Sequence, residues 1–286
     1  MSVMSWLHAL ATAGFLTTVA SAQRSERDIA YGSEPRQRLD LTLPKSSGFA
    51  TVIFVHGGSL TSGDKADADY GSVCLPFADS GIACANVNYR LTEDHAWPAQ
   101  AEDVAAAIAW VRRNIAARGG DSLKLFLLGH SSGATLVALV GTDAKYLTRH
   151  NVRPGDLRGV MPMGSIMWDD DLQQAMNQQG RARIEERVRQ HSYYKPFGTL
   201  DVYLDMWPIR HVGPGLPPFL FLIAEAEQEN PPVLRTNKKF VDEARALGNS
   251  ADYRVLAGRT HFSAIRNLHL SGDSVFAIVR DFVLQH

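Results

Sequence analysis

Short apolar runs alternate with helix-like patterns along most of the chain. Six runs carry too few polar positions for strict alternation, which is typical of strands covered on both faces, as in a parallel sheet. They lie at residues 51–55, 82–87, 123–128, 160–163, 219–223 and 253–256. Between them, apolar residues recur at helical spacing over 99–117, 237–247 and 274–284. This alternation predicts an α/β fold with a doubly wound, mostly parallel sheet.

Two stretches depart from this alternation. Residues 28–32 and 37–43 predict an antiparallel hairpin at the edge of the sheet. Residues from about 166 to 215 show no clear strand, but contain a charged helical pattern at 181–190 and an aromatic cluster of Tyr193, Tyr194, Phe197, Tyr203 and Trp207. Because so long a connection in a compact domain is usually functional, we expect a small helical cap over the C-terminal edge of the sheet. An ordinary surface insertion is the alternative.

The first 22 residues differ from the rest. A mostly apolar run from Ala9 to Ala20 leads into Ala20-Ser21-Ala22, which places small residues where signal peptidase requires them. We therefore predict a signal peptide cleaved after Ala22, export to the periplasm or the medium, and a single mature domain over residues 23–286. The run is too short to span a bilayer, which takes about 20 apolar residues, so no stable membrane anchor is expected. A buried N-terminal helix is the alternative, because residues 1–8 lack positive charge.

Composition and charge exclude several classes of protein. The chain is 45% hydrophobic, which is enough for a large core, and its 29 basic and 30 acidic residues give a net charge of −1. Because there is neither a basic stripe nor an acidic tail, we expect no nucleic-acid partner.

The two cysteines, Cys74 and Cys84, could form a disulfide after export. Cys84, however, lies in an apolar strand pattern, and Cys74 lies in a predicted helix just before it. We therefore interpret both as buried thiols that pack as small apolar side chains.

Gly129-His130-Ser131-Ser132-Gly133 is a G-x-S-x-G motif. It follows a predicted buried strand and precedes a helical run of small residues, Ala134 to Leu139, which is the context in which the motif marks a nucleophile. A serine on such a strained turn has its hydroxyl lifted off the sheet, and the helix N-terminus favours a developing negative charge. Ser131 is therefore the candidate nucleophile, with a helix N-cap as the alternative role.

An acyl-transfer site also needs backbone N–H groups aimed at the oxyanion. His56-Gly57-Gly58-Ser59 follows the first predicted parallel strand, and glycines let a backbone approach that oxygen closely. The candidate donors are the N–H groups of Gly58 and Ser59, or of Gly57 and Gly58, together with that of Ser132. His56 is expected to lie under this loop and to position it.

The base must be one of ten histidines. His261 follows the last predicted strand, so its loop is expected at the sheet edge that also carries Ser131. The side chain of His130 should point away from the nucleophile, while His269 and His286 lie on segments without a turn pattern. His261 is therefore the candidate base. Because a base must be unprotonated, activity should rise with pH through roughly 6 to 7.

The carboxylate that orients the base should follow the strand at 219–223. The loop there offers three glutamates, Glu225, Glu227 and Glu229, and no aspartate. We favour Glu227 as the triad acid, then Glu229, then Glu225, and expect the other two to be solvated. No motif indicates a metal or an organic cofactor.

Together these residues resemble the α/β-hydrolase family, in the branch of hormone-sensitive-lipase-like carboxylesterases, feruloyl-esterase-like proteins and arylformamidases. The resemblance implies a serine hydrolase with a triad in the order Ser, acid, His, and structural roles for Tyr89, Arg90 and Asp103. The matching elements, within residues 29–286, are His56-Gly57-Gly58-Ser59, Gly63-Asp64-Lys65, Asn88-Tyr89-Arg90-Leu91, Trp97-Pro98-Ala99-Gln100 with Asp103, Gly129 to Gly133, and His261-Phe262.

The chain also departs from that family's pattern. Ser59 and Leu60 stand where the family often has a third glycine and a tryptophan, and the acid loop has glutamates where the family commonly has an aspartate. The expected activity is hydrolysis of small-molecule carboxylic esters through an acyl-enzyme on Ser131. The alternatives are an arylformamidase or other amide hydrolase and, from another class, a non-catalytic binding protein with the same fold. A lipase is less favoured, because the expected cap shows no long amphipathic stripe.

Overall fold

Eight strands form one sheet in this computed structural model, which describes residues 24–191, 194–228 and 232–286. The sheet order is β1-β2-β4-β3-β5-β6-β7-β8. The pairs β1/β2 and β2/β4 are antiparallel and all others are parallel, so the predicted sheet and its edge hairpin are confirmed. The strands are β1 (Arg24–Ala30), β2 (Arg38–Leu43), β3 (Phe49–Val55), β4 (Ala83–Val87), β5 (Gly120–His130), β6 (Gly159–Met163), β7 (Phe219–Ala224) and β8 (Ala251–Leu256).

Three predictions fall outside the described residues. They are the signal peptide at residues 1–22, the contribution of Tyr193 to the aromatic cluster, and the placement of Glu229.

Helices connect most of the parallel strands. The predicted helices at 99–117, 237–247 and 274–284 correspond to α2, α8 and α10, and α8 begins earlier than predicted because it opens with the buried Val233 directly after Pro232. Within the described ranges, no helix is both long and apolar enough to cross a bilayer. The helices are α1 (Leu75–Asp79), α2 (Ala99–Asn114), α3 (Ser132–Thr142), α4 (Ala144–Thr148), α5 (Asp170–Gln179), α6 (Arg181–Gln190), α7 (Leu200–Asp205), α8 (Val233–Ala246), α9 (His261–Arg266) and α10 (Ser274–Gln285).

The sheet has a hydrophobic core on each face. Along β3, Ile53 packs with α2, α3 and α8 in one core, whereas Phe54 packs with α1, α9 and α10 in the other. Successive side chains of a strand point to opposite faces, so a strand covered on both sides needs a continuous apolar run. Helices cover both faces of the sheet, and the parallel strands all end at one open edge. α/β sheets bind ligands at this edge.

Cys74 and Cys84 form a disulfide, and the interpretation as two free thiols is wrong. Their burial was predicted correctly, since Cys74 is 5% exposed and Cys84 is fully buried. Cys74 is the N-cap of α1, and the short helix with its following turn leads the chain directly into β4. This brings the two Cα atoms within 5.2 Å of each other, a separation that suits a disulfide.

Segment 166–215 contains α5, α6 and α7 and two 3-10 turns, and no strand in its described part. The charged pattern at 181–190 forms α6, as predicted. Tyr203 lies at the centre of the described aromatic cluster, with ring centroids 4.6 Å from Tyr194, 5.1 Å from Phe197 and 5.7 Å from Trp207, all in edge-to-face geometry. Such aromatic packing stabilises the segment beyond the burial of apolar area alone.

Candidate active site

Ser131 stands at a tight turn between β5 and α3. Its φ of 55° and ψ of −128° lie in a region that costs a non-glycine residue energy, and such strain clusters at functional sites. The turn is held by a hydrogen bond from the Ser131 N–H to the carbonyl oxygen of Met163, at 2.9 Å. A Cβ on Gly133 would lie 2.3 Å from the carbonyl oxygen of Val55, so only glycine lets α3 approach β3 this closely.

His261 and Glu227 form a direct hydrogen bond. His261 is the first residue of α9, and its Nδ1 lies 2.5 Å from Oε1 of Glu227. The Glu227 side chain is only 6% exposed, and its second oxygen accepts the N–H of Ala224 at 3.3 Å. Because Nδ1 carries the proton donated to the carboxylate, the lone pair of Nε2 is the one available to accept a proton.

The other two glutamates of the acid loop are placed differently. Glu225 is exposed, and its Oε2 accepts the N–H of Gly258 at 2.8 Å, so it stabilises the turn after β8. Glu229 lies outside the described residues. The 3-10 turn at Glu225–Glu227 directs one glutamate outward and the other inward.

Gly164 links Ser131 to the histidine–glutamate pair, a contact that the sequence did not predict. It directly follows Met163, whose carbonyl holds the Ser131 N–H. A Cβ on Gly164 would lie 3.1 Å from Nδ1 of His261 and 3.2 Å from Oε2 of Glu227. The strained serine and the pair therefore occupy the same small region of the sheet edge.

The loop after β3 turns sharply beside Ser131. Gly58, Ser59 and Leu60 all have positive φ, at 117°, 56° and 65°. The carbonyl of Gly58 accepts the N–H groups of Thr61 and Ser62, at 3.0 and 2.9 Å. These two hydrogen bonds close the turn that begins at Gly58.

Near Ser131, the N–H groups of Gly58, Ser59 and Ser132 have no hydrogen-bond partner among the described residues. Gly57 differs from them. Burial raises the pKa of the nearby Tyr70 hydroxyl, while a hydrogen bond from the Gly57 N–H lowers it. The Gly57 N–H is therefore directed at Tyr70. Of the two predicted donor sets, the geometry favours Gly58 and Ser59 with Ser132.

His130 connects to the backbone of His261. Its Nε2 donates to the carbonyl oxygen of His261 at 2.9 Å, and its Nδ1 accepts the hydroxyl of Tyr70 at 3.1 Å. The two imidazole rings also pack with centroids 4.5 Å apart. Burial lowers the pKa of His130 to about 3, so it is neutral at physiological pH, as this bonding pattern requires. The sequence showed only that this ring should not face Ser131.

His56 lies beneath the loop after β3, as predicted. Its ring is fully buried and stacks on Tyr89, with centroids 4.4 Å apart. Its Nδ1 lies 2.7 Å from the carbonyl oxygen of Gly57, to which it donates. Burial lowers the pKa of His56 to about 4, so the ring is a neutral support for the loop.

Asp103 has the structural environment that the family resemblance implied. It is fully buried and accepts from the guanidinium of Arg90, with an Nη2–Oδ1 distance of 2.6 Å. It also accepts the backbone N–H of Arg90 at 2.9 Å and the side-chain amide of Gln37 at 2.7 Å. These bonds tie α2 to the segment after β4.

A cavity of about 160 Å³ lies beside Ser131. Segment 166–215 contributes part of its wall. The lining residues are Ser59, Leu60, Ser131, Ser132, Thr135, Leu136, Ser165, Ile166, Met206 and Trp207.

Asp143, Asp205 and His211 have potential metal-ligand atoms within 4.8 Å of one another. The ammonium of Lys145, however, already lies 2.7 Å from Asp143 and 2.8 Å from Asp205. Asp143 is the C-cap of α3, and Ser131 is the N-cap at its opposite end. The 11 residues of this helix span about 16 Å. The group is therefore separate from the candidate active site.

A mostly parallel sheet with a serine turned out at the start of the central helix defines the α/β-hydrolase class. Residues 39–233 match the model of the BD-FAE family, and the chain belongs to this family of α/β-hydrolase esterases. The match includes Ser131 and Glu227 and ends before His261.

Curated relatives and solved structures agree with this assignment. Esterase LipC of Mycobacterium tuberculosis is 30% identical over 268 residues, and the probable carboxylic ester hydrolase LipM of the same organism is 28% identical over 231 residues. These matches cover 88% and 77% of this chain, which spans 63% of LipC and 52% of LipM. The butyrate-bound structure of esterase Est2 from Thermogutta terrifontis shares the fold, with a TM-score of 0.71 at 20% identity, over 92% of this chain and 94% of that one.

Proposed function

We propose that the protein is a serine esterase that hydrolyses small-molecule carboxylic esters through an acyl-enzyme on Ser131. Its membership of a family of esterases supports this function. The observation that carries the proposal is the hydrogen bond between His261 and the buried Glu227, at the sheet edge where Ser131 occupies its strained turn.

The proposed first step transfers the acyl group to the serine. Nε2 of His261 takes the proton of the Ser131 hydroxyl as Oγ bonds to the ester carbonyl carbon. The carbonyl oxygen becomes an oxyanion. When this tetrahedral intermediate collapses, the bond to the alcohol oxygen breaks, and the departing alkoxide takes the proton from Nε2.

The second step is hydrolysis of the acyl-enzyme. His261 takes a proton from water, whose oxygen attacks the acyl carbon, and then returns a proton to Oγ of Ser131 as the acid departs. Glu227 keeps the imidazole in one tautomer and stabilises the imidazolium that forms in both steps.

The proposed oxyanion donors are the N–H groups of Gly58, Ser59 and Ser132. These donors are unpaired in the described part of the chain, whereas the Gly57 N–H is directed at Tyr70. Loss of a single donor of this kind costs about 2.7–4 kcal/mol of transition-state stabilisation.

The family and the relatives lend no support to the two alternatives, an amide hydrolase or a non-catalytic binding protein. A kinetic experiment tests the proposal directly. The purified protein should hydrolyse p-nitrophenyl butyrate, and Ser131→Ala should lower kcat by about 10³-fold or more. Turnover in Ser131→Ala equal to that of the unmodified protein would exclude Ser131 as nucleophile.

We also propose that the protein is exported to the periplasm or the medium. The disulfide between Cys74 and Cys84 supports this location, because such bonds persist in oxidising compartments. N-terminal sequencing of the protein from the exported fraction should begin at Gln23. Protein that retains residues 1–22 and stays in the cytosolic fraction would contradict export.

A further inference from the structure

His261, the proposed base, is the first residue of a short helix at the open edge of the sheet. This helix, α9, has six residues, and the His261 side chain is 31% exposed. A helix of this length has little stability of its own, so its position depends on contacts with the rest of the chain. Proton transfer requires Nε2 of the base within about 2.6–3.2 Å of the nucleophile's hydroxyl.

The backbone of His261 is held by the residue that precedes the nucleophile. Nε2 of His130 donates to the carbonyl oxygen of His261 at 2.9 Å, and the two rings pack with centroids 4.5 Å apart. His130 is fully buried and is the last residue of β5, in the middle of the sheet. The end of β5 therefore leads into the turn at Ser131 and also provides the donor that holds the base.

Tyr70 determines which nitrogen of His130 carries the proton. A carbonyl oxygen can only accept, so Nε2 of His130 is the donor, and Nδ1 accepts the hydroxyl of Tyr70 at 3.1 Å. Burial lowers the pKa of His130 to about 3, which keeps the ring neutral. The same hydroxyl also lies against the oxyanion loop, where a Cβ on Gly57 would be 2.8 Å from it. One hydroxyl thus contacts both the loop and the support of the base.

The segment that contains Tyr70 also holds the other end of α9. The guanidinium of Arg266, the last residue of this helix, pairs with the carboxylate of Asp69. The segment is itself fixed to β4, because the side-chain amide of the buried Asn86 donates to the carbonyl oxygen of Tyr70 at 3.0 Å. The disulfide of Cys74 joins the segment to the same strand. Both ends of α9 are therefore tied to one firmly anchored segment.

We propose that Tyr70 and His130 are positioning residues of the reaction, whose hydrogen bonds hold the base His261 at the right distance from the nucleophile. This inference rests on the proposed ester hydrolysis at Ser131. In this role neither side chain contacts the reacting atoms. A misplacement of about 1 Å in a catalytic geometry can lower the rate by about 10²-fold. Substrate binding does not depend on the orientation of the base, so the effect should lie in kcat and not in KM.

Tyr70→Phe tests the hydroxyl alone, because it keeps the aromatic ring. It should lower kcat for p-nitrophenyl butyrate by about 10- to 10²-fold per folded molecule, with KM within about twofold. Urea unfolding gives the folded fraction. A kcat within twofold of that of the unmodified protein, or a loss confined to KM, would overturn the proposal.

Tyr31→Phe is the matched control. Tyr31 is also a buried tyrosine, and its hydroxyl donates to a backbone carbonyl, that of Asn88, at 2.6 Å. The control removes one buried hydrogen bond without touching the connection to His261, and kcat should stay within about twofold. A loss of kcat in Tyr31→Phe as large as that in Tyr70→Phe would show a general effect of buried hydroxyls and overturn the proposal.

Two substitutions of His130 separate hydrogen bonding from packing. Glutamine has both an N–H donor and a carbonyl acceptor, whereas leucine fills space with neither. His130→Leu should lower kcat about as much as Tyr70→Phe, and the double variant should lie within about twofold of His130→Leu, because both changes break the same connection. His130→Gln should exceed His130→Leu in kcat by about two- to tenfold, the effect of one hydrogen bond. Equal kcat in the Gln and Leu variants would overturn the proposal, and if His130→Leu does not fold, Tyr70→Phe decides.

The same measurements separate this inference from the proposed function. If hydrolysis of the butyrate ester does not depend on Ser131, the proposed function itself is wrong. If it depends on Ser131 but Tyr70→Phe and His130→Leu keep full kcat, only the positioning role is wrong.

Discussion

Two histidine–carboxylate groups lie towards opposite ends of α3, and they differ in what the histidine can do. Near the N-terminus, Nδ1 of His261 bonds to Glu227. Near the C-terminus, Nε2 of His211 lies 2.7 Å from the carbonyl oxygen of Asp205, and Nδ1 lies 3.6 Å from Asp143. His211 therefore has both ring nitrogens directed at protein oxygens, whereas Nε2 of His261 has no hydrogen-bond partner among the described residues.

The carboxylates of the two groups differ as well. Lys145 neutralises Asp143 and Asp205, so that group is a closed network of charges. In the described part of the chain, Glu227 has no Lys or Arg ion pair and is paired with His261. The helix end next to Ser131 is also the positive one, which favours an oxyanion. The comparison teaches that the two pairs differ in one free ring nitrogen and in the cation beside the carboxylate, and these are the features that the proposed proton relay requires.

Replacing the two histidines gives the largest expected contrast. His261→Ala removes the general base and should lower kcat/KM for p-nitrophenyl butyrate by about 10³-fold or more. His211→Ala, the matched change in the closed network, should leave kcat/KM within about twofold, because it lies far from Ser131. Equal losses in both variants, measured on folded protein, would remove the distinction between the two groups.

The glutamates of the acid loop give the next largest effect. Glu227→Gln keeps the size of the side chain but cannot stabilise the imidazolium, and should lower kcat by about 10²- to 10⁴-fold. Glu225→Gln is the control in the same turn and should change kcat by less than about threefold. Steady-state kinetics on the same ester decide the matter. A larger loss in Glu225→Gln than in Glu227→Gln would transfer the role of triad acid to Glu225.

The burial of His130 predicts that the free energy of unfolding depends on pH in the acidic range. Burial lowers the pKa of His130 to about 3, so between that pH and the ordinary histidine value of about 6.5 the unfolded state binds a proton that the folded state does not. The free energy of unfolding should therefore fall on acidification across this window, by at most about 1.4 kcal/mol per pH unit for this one proton.

A neutral substitute isolates that contribution. In His130→Gln the loss of stability between pH 6.5 and 4 should be shallower, which urea unfolding at several pH values measures. His269→Gln, a change at an exposed histidine, serves as the control. A slope as steep in His130→Gln as in the unmodified protein would show that the proton uptake belongs to other groups.

The smallest expected effect concerns the closed network. Lys145→Met leaves Asp143 and Asp205 without their cation, but the ammonium is 42% exposed and screened by solvent. The free energy of unfolding should fall by about 0.5–1 kcal/mol, as measured by urea titration, with kcat unchanged. A loss of activity larger than the loss of stability would contradict the separation of this network from the active site.

The sequence predicted the parts of the site that depend on local pattern. The G-x-S-x-G turn is recognisable because its glycines, its preceding apolar strand and its following helix are contiguous in the chain. The position of His261 after the last strand follows from the topology, since all parallel strands end at one edge. The sequence favours Glu227 but leaves three glutamates open, because the choice depends on how a single 3-10 turn directs each side chain.

Contacts between distant residues were not predictable from a single sequence. The bond between His130 and Tyr70 joins residues 60 positions apart, and that between His130 and His261 joins residues 131 apart. The disulfide was missed for a related reason. A thiol buried among apolar side chains has the same sequence pattern whether or not another cysteine lies opposite, and the path of the chain from α1 into β4 brings the two together.

Covalent labelling tests the central claim most directly. The folded protein is treated with a fluorophosphonate, which reacts with an activated serine hydroxyl, and the modified peptide is identified by mass spectrometry. The proposed mechanism predicts one stoichiometric adduct on Ser131, no adduct in Ser131→Ala, and loss of esterase activity in proportion to labelling. An adduct on another serine that accounts for the lost activity, or full activity with Ser131 modified, would contradict it.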